Sequence, residues 1–242
     1  MNSLGFFFSC FNEKKAVEYS LSQLVVYYPN SPIYLVSDGG IDFSYLKKYY
    51  SNLETKLDED TMSATFKITD KNWKEETHQK SIKKAVNAVL RRLEQAILYC
   101  STDYILMMDP DTLIRGTLNI PTNVKLLGSR INKNFPQEIK DILSNINGAK
   151  VIDCWGATPA IFEVNTFLKS LEKIKKNQEI IDLFINEFYA IYAHDVLIPL
   201  MFALVGEEET FNPDIVECNR NIYWESSNKP LVHQFKKFYE DK

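Results

Sequence analysis

The stretch Tyr104-Ile105-Leu106-Met107-Met108-Asp109-Pro110-Asp111-Thr112 decides the fold class of this chain. Five apolar or aromatic residues run directly into two aspartates separated by one residue. So short an apolar run predicts a buried strand, parallel to its neighbours and covered on both faces. Asp109 and Asp111 then emerge where the strand ends, at the carboxyl edge of a sheet, where α/β proteins bind ligands. Two carboxylates held there suit a hard divalent cation, Mg2+ or Mn2+, and such ions commonly bring a diphosphate with them.

The triplet alone proves little. With 14 aspartates in 242 residues, chance supplies roughly one Asp-x-Asp. A second one is present, Asp58-Glu59-Asp60, in a polar stretch that reads as a solvated acidic loop. What sets Asp109 and Asp111 apart is the apolar strand before them.

Outward from that strand the elements alternate. A long helix is predicted from about His78 to Tyr99, with Ile82, Val86, Val89, Leu93, Ala96 and Ile97 on its apolar stripe and Arg92 flanking it. Earlier, Leu4 to Ser9 reads as a first core strand, followed by Asn12 as a helix N-cap and a helix burying Val17, Leu21 and Leu24. Ile33 to Val36 reads as a second strand that ends in the turn Ser37-Asp38-Gly39-Gly40. A short helix is expected over 43–50, while 51–76 reads as irregular with a short strand near 65–68. Strand, helix, strand, helix, strand implies right-handed crossovers and a mostly parallel sheet with helices on both sides.

The second half is less regular. A strand is expected over 124–127, a helix over 136–146, and a strand from Val151 that turns tightly before Pro159 and resumes over 160–164. Helices follow over 166–175 and 179–204, the latter broken near His194, then short strands over 214–218 and 222–224. The expectation is a single three-layer α/β domain over 1–242 with a mostly parallel central sheet.

Composition narrows the class. Hydrophobic residues make up 45% of the chain and aromatics 13%, enough for a sizeable core. A net charge of −4, from 28 basic against 32 acidic residues, lacks the basic excess of a nucleic-acid binder. Cys10, Cys100, Cys154 and Cys218 form no metal-binding cluster and read as reduced thiols of a cytoplasmic protein. No stretch has the length of a transmembrane span, and Gly5 to Phe11 lacks the basic start of a signal peptide.

Three strand ends together resemble the GT-A fold glycosyltransferases, in particular small bacterial and viral sugar transferases. Ser9-Cys10-Phe11-Asn12-Glu13 is similar to their first strand end, Val36-Ser37-Asp38-Gly39-Gly40 to their second, and Asp109-Pro110-Asp111 to their Asp-x-Asp motif. The resemblance implies a Rossmann-like domain with a nucleotide-binding half over about 1–115 and an acceptor-binding half over about 116–242, and a donor that is a nucleoside-diphosphate sugar, with UDP the expected nucleotide. Ser9, Cys10, Phe11 and Asp38 would then hold its nucleoside, and Arg92 would reach the diphosphate. It also implies that Asp109 and Asp111 bind Mn2+ or Mg2+, with His233 as a third ligand, and that Lys236 and Lys237 contact the diphosphate. Asp195 matches the acidic residue that deprotonates the acceptor hydroxyl in inverting members, although the family's usual Glu-Asp is His194-Asp195 here. Trp155 and Gly156 fall where the family carries a glycine-containing loop near the sugar, and an indole can stack on a sugar face.

Each residue also has a plainer reading. Asp38 suits a turn before glycine, Asp195 suits an N-cap for a helix over 196–204, Arg92 suits a snorkelling side chain, and Trp155 suits a core position. At the level of function, the implied hexosyl or pentosyl transfer to a glycan, lipid or protein acceptor has two rivals. One is a haloacid-dehalogenase-like phosphatase, whose signature is also a strand running into Asp-x-Asp. The other is an inactive module that only binds nucleotide sugars.

Overall fold

The computed structural model describes residues 3–58, 76–134, 137–152, 154–187, 193–211, 215–217 and 228–233. Within it, β1 (Leu4–Cys10), β2 (Ile33–Ser37), β3 (Leu53–Leu57) and β4 (Tyr104–Met108) run parallel. β5 (Leu113–Ile114) follows at once, then β6 (Leu126–Asn134), β7 (Cys154–Glu163) and β8 (Thr210–Phe211). The main sheet has the order β3-β2-β1-β4-β7-β6-β8, and only β7 runs antiparallel to both of its neighbours. β9 (Ile215–Glu217) and β10 (Leu231–His233) join β5 in a small second sheet of order β5-β10-β9.

Strand side chains alternate between two faces, and both faces are apolar. Phe6, Phe8, Ile33, Leu35, Leu106 and Met108 pack on Val17, Leu21 and Leu24 of helix α1 (Lys14–Tyr27). Phe7, Tyr34, Val36, Ile105 and Met107 pack on Val86, Leu90, Leu93 and Ile97 of helix α2 (Glu76–Cys100). That second face also carries α3 (Gln137–Asn145), α4 (Val164–Lys176), α5 (Gln178–Glu187) and α6 (Ala193–Leu204). The result is the expected three-layer α/β/α arrangement. Because α1 and α2 lie on opposite faces, the chain leaves β1 in one direction and returns to its other side as β4. The carboxyl ends of β1 and β4 therefore flank a topological switch point, where open α/β sheets form their ligand crevice.

Several boundaries differ from expectation for identifiable reasons. α1 begins at Lys14, and Asn12 is not its cap; the Glu13 carboxylate instead accepts the Phe11 N–H at 2.9 Å. β3 was not legible because only Leu53 of its five residues is buried. β7 is one strand, not two: its register with β6 passes from Gly128–Ala160 to Ser129–Ala157 and skips Thr158 and Pro159. Proline has no N–H to give to a ladder, so the irregularity falls where the strand needs it. Short helix 43–50 is a 3-10 turn over Ser44–Lys48. The strands expected over 65–68 and 222–224 lie outside the described residues.

At the switch point the ends of β1 and β2 are fastened to one another. Asp38 N–H donates to the Cys10 carbonyl at 2.8 Å and Ile41 N–H to the Phe11 carbonyl at 2.9 Å. Gly40 sits so close that a Cβ there would lie 2.0 Å from the Phe11 carbonyl oxygen, a backbone atom that cannot move aside. Gly40→Ala is expected to cost about 1–3 kcal/mol, the range for forced overpacking, read as a lower urea midpoint. An unchanged midpoint would show that the two loops are not tightly joined.

Candidate active site

Asp109 stands one residue past β4 and starts a turn that the sequence preorganises. Thr112 N–H donates to the Asp109 carbonyl at 3.0 Å, so Asp109-Pro110-Asp111-Thr112 forms a β-turn. Proline in its second position presets the backbone angle that such a turn needs. The Asp109 N–H donates to the Thr112 hydroxyl at 3.2 Å, closing the turn a second time. Both acidic side chains keep partial access to solvent, 28% for Asp109 and 14% for Asp111.

The third member arrives from the other sheet. β5 leaves the turn directly and pairs antiparallel with β10, Leu113 opposite Val232. His233 is the next residue along β10, so this register brings it level with the turn. Its Nε2 lies 3.5 Å from Asp109 Oδ2 and 3.8 Å from Asp111 Oδ1, and the residue is buried. Ligand atoms of all three residues fall within 4.8 Å of one another. Ligands about 2.1 Å from one octahedral ion stand about 3–4 Å apart, so the spacing fits a single divalent cation. Two carboxylates with an imidazole form a mixed oxygen and nitrogen donor set of the kind that holds divalent metal ions.

A second polar group lines the same edge, beyond β1. Asp38 ends β2 and Asp58 ends β3, and both turn toward Arg92 of α2. Arg92 Nη2 donates to Asp38 Oδ1 and Nε to Asp58 Oδ2, each at 2.8 Å, with the Arg92 side chain only 4% exposed. Arg91 adds a further bond to Asp58 Oδ2 at 2.8 Å. The expectation of a solvated Asp58 is corrected: it is buried and doubly paired. Arg92, read from the sequence as a diphosphate contact or a snorkelling cation, is a buried bridge between two strand ends. Asp58 was missed because its partners lie more than thirty residues further on, beyond any local pattern.

Burial pushes the Asp58 carboxyl pKa up, but the hydrogen bonds and charge of Arg92, then of Arg91, outweigh it and leave it below the usual carboxylate range. A small cleft lined by Phe7, Ser9, Val89, Arg92, Met107 and Asp109 runs from this bridge to the Asp109 turn. Cys10 is buried, donates to the Val36 carbonyl at 3.3 Å, and has its thiol pKa raised well above normal, chiefly by burial. It is a neutral thiol whose backbone, through Cys10 O, serves the Asp38 loop. Phe11 contributes to the same loop through its backbone.

Trp155 and Gly156 lie near the start of β7, paired with Ile131 and Arg130 of β6. Since Ala160 is already opposite Met107, this part of the ribbon runs on past the end of β4, on the same edge as Asp109. Asp195 lies in the first turn of α6, which starts at Ala193, two residues before the N-cap position expected for it. The side chains of Trp155 and Asp195, and all of Lys236 and Lys237, lie outside the described residues. No helix among the described residues is long and apolar enough to cross a membrane.

No family model matches the sequence, and no curated protein matches it significantly. Solved structures do resemble the fold. The mannosyltransferase Ktr4p from Saccharomyces cerevisiae aligns with a TM-score of 0.56 at 14% identity, over 86% of this chain and 68% of that one. Core-mannan synthase A from Aspergillus fumigatus, solved in a Mn/GDP form, gives 0.54 at 10% identity, over 87% and 73%. The galactosyltransferase LgtC, solved with donor and acceptor sugar analogues, gives 0.52 at 13% identity, over 94% and 86%. With its Asp-Pro-Asp turn at the switch point of a mostly parallel sheet, this chain has the fold of the GT-A glycosyltransferases.

Proposed function

We propose that the protein is a metal-dependent glycosyltransferase that moves a sugar from a nucleoside diphosphate, UDP by the sequence resemblance, to a hydroxyl of a glycan, lipid or protein acceptor. The observation that carries this reading is the convergence of Asp109, Asp111 and His233 at the ligand edge of a GT-A fold. It favours transfer over the phosphatase alternative, and Asp109 and Asp111 together with a candidate base in Asp195 argue for turnover over a module that only binds.

In this reading Asp109, Asp111 and His233 hold the divalent ion. Once bound, the ion supplies Lewis-acid stabilisation of the leaving nucleoside diphosphate. Asp38 accepts hydrogen bonds from the nucleoside, beside Ser9, Cys10 and Phe11, and Lys236 and Lys237 offset diphosphate charge. The Arg92 guanidinium, already bonded to two carboxylates, acts on the donor through Asp38. Trp155 and Gly156 border the sugar, and the chain works as one catalytic unit whose acceptor side lies in its second half.

Asp195 takes the proton from the attacking hydroxyl in an inverting displacement, a role for which a carboxylate is suited. Asp195→Asn is expected to leave donor binding intact while transfer falls by about 10²–10⁴-fold. A wild-type rate in that variant removes Asp195 from the mechanism and the argument for inversion with it.

The direct test is calorimetric titration with UDP, GDP and dTDP, with and without Mn2+. Metal-dependent binding of one nucleotide is the expected result. No binding of any of them, together with hydrolysis of a generic phosphate ester, would replace the transferase reading with the phosphatase.

A further inference from the structure

We propose that Ser20 of α1 and Thr112 are positioning residues that hold the Asp109-Pro110-Asp111 turn in its metal-binding shape. The inference rests on the metal site of the proposed function and extends it to two side chains outside the ligand set.

Serines inside helices commonly turn back on their own backbone. Among the described residues three do so: Ser22 donates to the Tyr19 carbonyl, Ser144 to the Asp141 carbonyl and Ser170 to the Phe167 carbonyl, each at 2.7 Å. Ser20 does not. Its hydroxyl, 1% exposed, crosses from the middle of α1 to donate to the Thr112 carbonyl, 92 residues along the chain. Thr112 is also 1% exposed, and it grips Asp109 at both backbone groups, accepting its N–H on Oγ1 and giving its own N–H to the Asp109 carbonyl.

One buried hydroxyl on a helix thus fixes Thr112, and Thr112 fixes Asp109. The consequence reaches the imidazole too. Leu113, the next residue, pairs with Val232, and His233 follows Val232. Both arms of the donor set therefore hang from one anchor. Removing the Ser20 hydroxyl leaves the Thr112 carbonyl buried without this donor and frees the turn to shift. Partners of this supporting kind typically affect metal affinity by about 10–100-fold.

The test uses the full chain and Mn2+ as the probe, titrated calorimetrically with and without UDP, beside urea unfolding in the absence of metal. Ser20→Ala and Thr112→Val are each expected to weaken Mn2+ binding about 10–100-fold, and Thr112→Ser to restore it. Ser20→Ala leaves the buried Thr112 carbonyl short of a donor, a loss partly offset by alanine's better helix propensity. The metal-free urea midpoint should therefore fall only modestly while Mn2+ affinity falls well beyond it, which separates positioning from a general loss of structure. Should Ser20→Ala fail to fold, the Thr112→Val and Thr112→Ser pair carries the same comparison. Mn2+ affinity unchanged in both Ser20→Ala and Thr112→Val, or lost only in step with the urea midpoint, overturns the proposal. A wild-type chain that takes up no Mn2+ overturns the metal site itself.

Discussion

Replacing Asp109 or Asp111 with alanine is expected to abolish metal-dependent sugar transfer while the protein stays folded. Both carboxylates are partly solvent-exposed and lie side by side without contributing to either core. The turn that carries them is closed by backbone and Thr112 bonds that neither side chain makes. Loss of one carboxylate relieves repulsion between like charges but also removes a contact with His233, so the two effects oppose one another and the thermal midpoint should stay close to that of the wild type. Function is different. A divalent ion contributes several kcal/mol to stabilising a leaving diphosphate, and each 1.4 kcal/mol is about tenfold in rate. Losing a ligand should therefore cost on the order of 10³-fold in turnover or more. Release of nucleoside diphosphate, Mn2+ binding and a thermal melt on the same samples decide the matter. Wild-type turnover in both variants would remove the metal assignment.

The part of this site that was legible in the sequence is the part built from one continuous segment. The run Tyr104–Met108 has every residue buried, so its apolar character announces a central strand, and the aspartates simply follow it. β1 and β2 were legible for the same reason, and α2 because its apolar residues recur at helical spacing over 25 residues. His233 was reachable only through family resemblance. The strand that delivers it is three residues long, and its register comes from β5, itself two residues long. Such strands exist through their partners, not through any pattern of their own. The Arg92 bridge is harder still. Asp58 sits in an acidic run that looks solvated, and Arg92 on the shoulder of an amphipathic helix. Only the parallel register of β1, β2 and β3 puts two strand ends within reach of one guanidinium.

That bridge sets the second large expectation, which concerns stability. Arg92→Met should destabilise the protein by about 3–5 kcal/mol at neutral pH, the range for removing one partner of a buried ion pair. The methionine fills much of the volume, but Asp38 and Asp58 lose the cation they share. Arg91 cannot replace it, because its side chain is 46% exposed and solvent screens such a pair. Lysine is no substitute either: a single ammonium lacks the planar fork that reaches two carboxylates at once. The sign of the pH dependence follows from Asp58. Its folded pKa is depressed, with burial opposed and outweighed by the Arg92 and Arg91 bonds. A depressed carboxylate stabilises the fold above its unfolded pKa of about 3.9, and that contribution disappears as pH falls through the folded value. The variant lacks most of this term, and its Asp58 carboxylate, left with only the exposed Arg91, is relieved by protonation. Urea unfolding of wild type and Arg92→Met at pH 7, 5 and 3.5 should therefore show a gap that is widest at the two higher values and shrinks below about pH 4. A gap that stays constant with pH would mean that Arg92 acts by packing alone. No gap at all would mean that the ends of β2 and β3 hold their places without it.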